Sequence, residues 1–66
     1  MNEYKKLRLT AGLTVSEVAK DIDVDESTIY NWEKGVSNPK VSRLKTLADE
    51  YGCSMAEMVQ AYEAQN

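Results

Sequence analysis

Signals for the start and end of a helix recur along this chain at short intervals, and they limit it to a bundle of short helices. A hydroxyl residue followed three positions later by glutamate is the capping box of a helix amino terminus, and it occurs at Thr14–Glu17 and Ser54–Glu57. Glycines that can end a helix in the left-handed conformation stand at Gly12, Gly35 and Gly52. No stretch has the strict alternation of a half-buried strand. The chain is therefore predicted to be all-helical.

The first three helices follow from these signals and from apolar residues at helical spacing. We expect the first helix over about residues 2–11, and a second helix that starts at Thr14 and is interrupted by Asp23 and Val24. Asp25 is predicted to be the N-cap of a third helix, which Gly35 closes. The residues expected on the buried faces are Tyr4, Leu7, Ala11, Leu13, Val18, Ala19, Ile22, Ile29 and Trp32.

Two more helices are predicted after a loop over residues 36–39, where Pro39 disfavours helix at the preceding residue. The fourth helix runs from about Val41 to Tyr51 and stops at Gly52, and the fifth begins at Ser54. Their expected buried residues are Leu44, Leu47, Ala48, Tyr51, Met55, Met58, Val59 and Tyr62. Alternatively, part of the apolar stripe on the fifth helix forms a dimer interface, since no later element is predicted to cover the outer edge of this helix. The whole, residues 1–66, is predicted to be a single domain.

Composition argues against most catalytic chemistry. The chain contains no histidine and a single cysteine, Cys53, so the commonest general base, the commonest metal ligand and an internal disulfide are all missing. Cys53 is expected to be a small buried apolar residue. We therefore predict no enzyme, no metal, no cofactor and no small-molecule substrate. No apolar run approaches the roughly 20 residues of a membrane span, and the first ten residues do not resemble a signal peptide, so a cytoplasmic protein without membrane contact is expected.

The charge distribution is more informative than the net charge of −3. Residues 34–45 carry four bases and no acid, whereas residues 21–33 carry five acids and no base. Residues 46–66 carry four acids and no base. An overall acidic balance is unusual for a nucleic-acid-binding protein, but the chain contains a concentrated basic segment.

Residues 14–35 carry the functional signal, because they predict two short helices separated by about three residues, as in helix-turn-helix units. At about 100° per residue, one arc of the third helix holds polar side chains. These are Glu26, Ser27, Tyr30, Asn31 and Lys34. Ile29 and Trp32 lie on the other side, so one face anchors the helix while the opposite face presents hydrogen-bonding groups. This layout is typical of a recognition helix in a major groove.

A longer ordered set of residues extends this signal over nearly the whole chain, from about Tyr4 to Val59. Its members are Leu7-Arg8, Gly12-Leu13-Thr14, Glu17-Val18-Ala19, Val24, Ser27-Thr28-Ile29, Trp32-Glu33-Lys34-Gly35, Pro39, Leu44, Leu47-Ala48 and Tyr51-Gly52-Cys53-Ser54. In these residues and their spacing the chain resembles the Cro/CI-type (XRE) phage-repressor helix-turn-helix family. The resemblance implies a five-helix lambda-repressor-like DNA-binding domain, with the helix-turn-helix at helices 2 and 3.

Roles for individual residues follow from that resemblance. Arg8 and Glu33 match a structural ion pair between the first and third helices, the alternative being two solvated charges. The positions near base edges are Glu26, Ser27, Thr28, Tyr30 and Asn31. The positions near DNA phosphates are Thr14, Ser16, Lys34, Lys40 and Arg43. Thr14 is also a capping residue, and the three cations could equally form an ordinary solvated face.

Two positions depart from the family pattern. Asp23 stands where glycine is usual in the turn, and aspartate tolerates a left-handed backbone better than most residues. Glu26 stands where glutamine is common. It could accept a hydrogen bond from a cytosine amine, or it could only stabilise the positive end of the helix dipole.

The sequence thus predicts a sequence-specific DNA-binding transcriptional regulator, of the prophage or mobile-element repressor kind. The expected partners are a double-stranded DNA operator and a second copy of the chain, bound through the fourth and fifth helices. A protein-interaction module of the same fold, similar to an antitoxin or anti-repressor, is the alternative, because the acidic residues 21–26 would repel phosphate.

Overall fold

In the computed structural model, which describes residues 2–65, five α-helices account for most of the chain. They are α1 Glu3–Thr10, α2 Val15–Ile22, α3 Glu26–Lys34, α4 Leu44–Tyr51 and α5 Met55–Glu63. The all-helical prediction is confirmed for these residues, while Met1 and Asn66 of the predicted domain lie outside them. None of the five helices is long and apolar enough to cross a bilayer.

The start of α4 differs from the prediction. Residues Val41–Arg43 form a 3₁₀ turn, in which the Arg43 amide donates to the Lys40 carbonyl at 2.8 Å. The α-helix begins only at Leu44. Tight i to i+3 bonding of this kind is common in the first turn of a helix, and periodicity of apolar residues cannot distinguish it from the α form.

Both predicted capping boxes are present, whereas the N-cap residue of α3 forms no side-chain capping hydrogen bond. The Thr14 hydroxyl accepts from the Glu17 amide at 3.1 Å, and the Glu17 carboxylate accepts from the Thr14 amide at 2.9 Å. Ser54 and Glu57 form the same reciprocal pair before α5. Asp25 occupies the N-cap position of α3, but its side chain makes no capping hydrogen bond. Its carboxylate can still favour α3 through the helix dipole, which acts without a specific bond.

The turn between α2 and α3 forms with an aspartate at the position where glycine is usual. Asp23 has φ 58° and ψ 54°, and among residues 2–65 it is the only non-glycine residue with positive φ. The Val24 amide donates to the Ala19 carbonyl at 3.0 Å, which closes the end of α2. The sequence prediction that aspartate adopts the left-handed conformation here is confirmed.

All five helices contribute to one apolar core. Its buried members are Tyr4, Val15, Val18, Ala19, Ile29, Trp32, Leu44, Leu47, Ala48, Tyr51, Met58 and Ala61. The partly buried residues packed against it include Leu7, Leu13, Ile22, Cys53 and Tyr62. These positions match most of the predicted buried faces. Ala11 is exposed instead, because α1 ends at Thr10 and the backbone turns away at Gly12, where φ is 74°.

The buried face of α5 is rotated relative to the prediction. Met58 and Ala61 are fully buried, whereas Met55 and Val59 are 43% and 36% exposed. At about 100° per residue, Met58, Ala61 and Tyr62 share one side, with Met55 and Val59 on its flank. The expectation that Met55 and Val59 are core residues is therefore wrong. Alanine is only weakly hydrophobic, so Ala61 was not counted in the predicted apolar face of α5. The centre of that face was therefore misplaced.

Candidate nucleic-acid interface

The third helix is held against the body by one face. Ile29 is fully buried and Trp32 is 4% exposed, and both belong to the core to which α2 contributes Val18 and Ala19. Only the three residues Asp23–Asp25 separate α2 from α3. Because packing fixes both helices and the turn is short, the orientation of α3 relative to α2 is set by the core.

The opposite face of α3 points away from the core. Glu26, Ser27, Tyr30 and Lys34 are exposed, and Thr28 and Asn31 are half-buried. Of the side chains predicted to approach bases, Glu26, Ser27 and Tyr30 are thus accessible to an external partner, Tyr30 at 46% exposure. Asn31 and Thr28 lie at the edges of this face, with part of each side chain accessible.

The candidate phosphate-binding groups come from three elements. Thr14 and Ser16 are exposed at the amino end of α2, where the first amides of the helix have no partner within it. Lys34 and Lys40 are exposed and Arg43 is half-buried. The ion pairs formed within residues 2–65 are Lys6–Glu3, Arg8–Glu33 and Lys45–Asp49, so none of these three cations is neutralised by a carboxylate. They remain able to bind an anion.

Arg8 and Glu33 form a bidentate ion pair under this surface. Arg8 Nε donates to one Glu33 oxygen at 2.7 Å and Nη2 to the other at 3.0 Å, while Nη1 donates to the Leu13 carbonyl at 2.9 Å. The two side chains are only 9% and 5% exposed. The hydrogen bonds to Glu33 raise the pKa of Arg8 above its ordinary value in spite of burial, so the guanidinium stays charged. The pair fixes α3 to α1 and to the loop that precedes α2.

A half-buried carboxyl group lies between α2 and α4 and was not predicted. Glu50 is half-buried, and within the described residues its Oε2 atom is buried without a hydrogen-bond partner. Burial, a hydrogen bond with Asp21 and the negative charges of Asp21 and Glu17 raise the pKa of Glu50 from 4.5 to about 7. Two carboxyl groups in contact favour sharing one proton. The sequence could not indicate this, since Glu50 reads as a surface position of an amphipathic helix.

The raised pKa of Glu50 predicts a pH-dependent stability. The folded state retains a proton that the unfolded state releases above pH 4.5, so the contribution is complete below 4.5 and is lost as the pH rises through 7. Between pH 5 and 8 we expect the free energy of unfolding to fall by about 1–2 kcal/mol from this group, less than the full shift because solvent reaches part of the side chain. Glu50→Gln should remove this slope and be the more stable protein at pH 8, as followed by urea unfolding.

The exposed Glu63 on α5 provides the control for that experiment, because Glu63→Gln removes the same formal charge from a solvated position. It should leave the pH profile unchanged. A profile for Glu50→Gln that coincides with the unmodified protein would show that the carboxyl group does not titrate in this range.

Sequence reasoning also missed a polar cluster at the carboxyl end of α3. It consists of side chains distant in sequence, Asn2, Tyr4, Asn38 and Gln65. The Tyr4 hydroxyl donates to Asn38 Oδ1 at 3.0 Å, and Asn38 Nδ2 donates to the Tyr62 carbonyl at 3.3 Å. Burial raises the pKa of Tyr4 to about 12, so the hydroxyl remains a donor. Amide side chains have no periodic pattern and so leave no signal of such long-range bonds.

Two short packed helices, a three-residue turn, and a second helix with one anchored and one outward face together define a helix-turn-helix domain. A family model described as helix-turn-helix matches residues 5–58, and the chain belongs to this family. The predicted resemblance is thereby confirmed.

A curated relative gives the comparison more detail. Over 58 residues, 88% of this chain, it is 36% identical to the cryptic phage CTXphi transcriptional repressor RstR of Vibrio cholerae. The aligned region covers 52% of that repressor, so the chain spans about half the length of the relative. No solved structure matches the chain.

Proposed function

We propose that this chain is a sequence-specific DNA-binding transcriptional regulator that represses genes of a prophage or mobile element, with α3 in the major groove. The observation that carries the proposal is the division of α3 into a face anchored by Ile29 and Trp32 and an outward polar face. The similarity to a phage transcriptional repressor supports the same role. A regulatory role, and not a catalytic one, agrees with the family.

The base-reading residues in this proposal are Glu26, Ser27, Thr28, Tyr30 and Asn31. An asparagine amide can pair with the two hydrogen-bonding groups of adenine in the major groove. Glu26 has two possible roles. Its carboxylate can accept from a cytosine amine, or it can act only on the helix dipole as the first residue of α3.

The residues proposed to contact phosphates are Thr14, Ser16, Lys34, Lys40 and Arg43. At the amino end of α2 the Thr14 hydroxyl already accepts from the Glu17 amide, but its hydrogen is still available to donate to a phosphate oxygen. The unpaired amides there add to this site. The three cations supply the charge that duplex binding requires.

The experiment that tests this proposal is selection of bound sequences from a pool of random duplex DNA. We expect an enriched motif with two related half-sites about one helical turn apart, since one short helix reads only a few base pairs. Recovery of no enriched sequence, together with no salt-sensitive binding to any duplex, would contradict it.

Variants of α3 separate the two kinds of contact. Asn31→Ala should relax sequence preference at one position per half-site, which corresponds to about 1–3 kcal/mol of lost discrimination. Lys34→Ala should weaken binding to all sequences alike, because a phosphate contact carries no base information. Competition assays with the selected duplex and single-base variants measure both effects. Identical profiles for the two variants would contradict the assigned roles.

We propose further that the chain binds its operator as a homodimer through α4 and α5. Exposed apolar residues on these elements support this surface. Val41, in the turn before α4, is 65% exposed, and Met55 and Val59, one turn apart on α5, are 43% and 36% exposed. Sedimentation on a two-half-site duplex should give two chains per DNA. Val59→Lys should reduce that to one, whereas the exposed Gln60→Lys should not.

A second candidate is a protein-interaction module of the same fold. The observation that favours it is the exposure of Asp21, Asp23, Asp25 and Glu26 around the turn, a negative surface suited to a basic protein. Heparin at low salt distinguishes the two candidates, because retention supports a phosphate-binding surface and passage through the column supports the interaction module.

A further inference from the structure

Two amide side chains from distant parts of the chain meet at the carboxyl end of α3. Asn2 Nδ2 donates to the Trp32 carbonyl at 2.7 Å, and Gln65 Nε2 donates to the same oxygen at 3.2 Å. Asn2 also donates to Gln65 Oε1 at 3.0 Å, so the two amides hold each other in place. The last four carbonyls of a helix lack the regular intrahelical partner, and the Trp32 carbonyl here accepts from the Gly35 amide at 3.2 Å as well as from these two side chains.

Gln65 also bonds to the loop that leaves α3. Its Nε2 atom lies 3.3 Å from the Ser37 carbonyl and 3.0 Å from Asn38 Oδ1, so its two hydrogens are shared among these two acceptors and the Trp32 carbonyl. The loop folds back on the helix, since the Val36 and Ser37 amides donate to the Asn31 carbonyl at 2.9 and 3.3 Å. Gly35 is close enough that a Cβ atom there would lie 3.3 Å from Gln65 Oε1. One side chain thus joins the last turn of α3 to two residues of the loop.

The position of this loop matters because candidate DNA contacts lie at both of its ends. Lys34 is the last residue of α3 and Lys40 follows the loop, and both are exposed. Lys34 belongs to α3, which the core holds, whereas the direction of the Lys40 side chain depends on the backbone of residues 35–39 that leads to it. That segment contains no helix or strand, so hydrogen bonds from other parts of the chain determine how firmly it is held.

We propose that Gln65, supported by Asn2, is a positioning residue for DNA binding: it holds residues 35–38 against the end of α3 and so orients Lys40, which follows this loop, toward the phosphates. Gln65 itself contacts no DNA in this scheme. The inference rests on the proposed function for its effect on affinity, while its effect on the loop is independent of DNA.

The test compares Gln65→Ala and Gln65→Met with Gln60→Ala. Methionine keeps the length of the side chain but donates no hydrogen bond, and Gln60 is an exposed residue of α5 that serves as a matched control. We expect both Gln65 variants to exchange the Val36 and Ser37 amide hydrogens about tenfold faster and to bind the selected duplex about fivefold to tenfold more weakly, the size expected for losing one or two hydrogen bonds. Gln60→Ala should change neither quantity, and the urea midpoints of all three variants should show that they remain folded.

The outcomes separate this inference from the proposed function. If the unmodified chain binds duplex DNA and the Gln65 variants match it in either amide exchange or affinity, the positioning role is wrong. If the unmodified chain binds no duplex at all, the proposed function fails, and with it the positioning role, even where loop exchange accelerates. A weaker affinity shared equally by Gln60→Ala would also overturn the assignment, because it would be a general effect of altering α5.

Discussion

Glu33→Ala is expected to destabilise the fold by about 3–5 kcal/mol, the usual cost of leaving one member of a buried ion pair without its partner. The change would leave the Arg8 guanidinium without its partner, in a side chain that is 9% exposed and donates two hydrogen bonds to the Glu33 carboxylate. At about 0.05–0.15 kcal/mol per residue, a domain of 66 residues has a total stability of about 3–10 kcal/mol, so the variant should lose a large part of it and unfold at much lower urea concentration. Urea unfolding followed by circular dichroism measures the loss.

Two further variants show whether burial of the charge is the cause. Arg8→Met combined with Glu33→Leu replaces both charges by apolar side chains and should recover most of the stability, less the cost of leaving the Leu13 carbonyl without its Arg8 donor. Lys45→Ala breaks a pair in which both side chains are more than 70% exposed, Lys45 at 78% and Asp49 at 71%, and should cost less than about 1 kcal/mol. A loss below 1 kcal/mol for Glu33→Ala would mean that the pair is effectively solvated.

Affinity for the selected duplex should fall by about a thousandfold between 50 and 200 mM salt. The expectation comes from Lys34, Lys40 and Arg43, which give about six phosphate contacts in a dimer and a logarithmic slope near −5. The overall negative charge of the chain does not remove this effect, because counterions are released only where phosphates are contacted. Fluorescence anisotropy of a labelled duplex across a salt series gives the slope.

Variants that each remove one cation measure how much that residue contributes to the salt dependence of the affinity. Lys34→Ala should reduce the magnitude of the slope by about two in a dimer, one for each copy. Lys6→Ala is the control, because this lysine is exposed on α1, pairs with Glu3 at 3.4 Å and is not among the proposed phosphate contacts. Equal reductions for both variants would place the phosphate contacts on a different surface.

The elements of the fold were predictable because their signals are local. A capping box such as Thr14–Glu17 involves four consecutive residues, and Asp23 can adopt a left-handed turn without help from distant residues. The anchoring of α3 could also be predicted from the sequence, since Ile29 and Trp32 share one face at helical spacing. The outward placement of Ser27 and Tyr30 follows directly from that anchoring.

What sequence reasoning missed depends on tertiary contacts. The buried face of α5 is centred on Met58 and Ala61, and which flank of an apolar stripe meets the core depends on how α4 packs against it. The raised pKa of Glu50 requires Asp21 to be brought to its side by packing of α2 and α4. Interactions between residues tens of positions apart have no local signature, so the structure was needed to find them.

The intrinsic fluorescence of Trp32 can report on the folding of the chain. It is the single tryptophan in the chain, and its indole lies in the core behind the surface proposed to meet DNA. Its emission should therefore move to longer wavelength when the core opens to water, while a duplex docked on the far side of the same helix leaves it nearly unchanged. Folding and operator binding can then be followed separately in one sample, the first by intrinsic fluorescence and the second by a dye on the DNA.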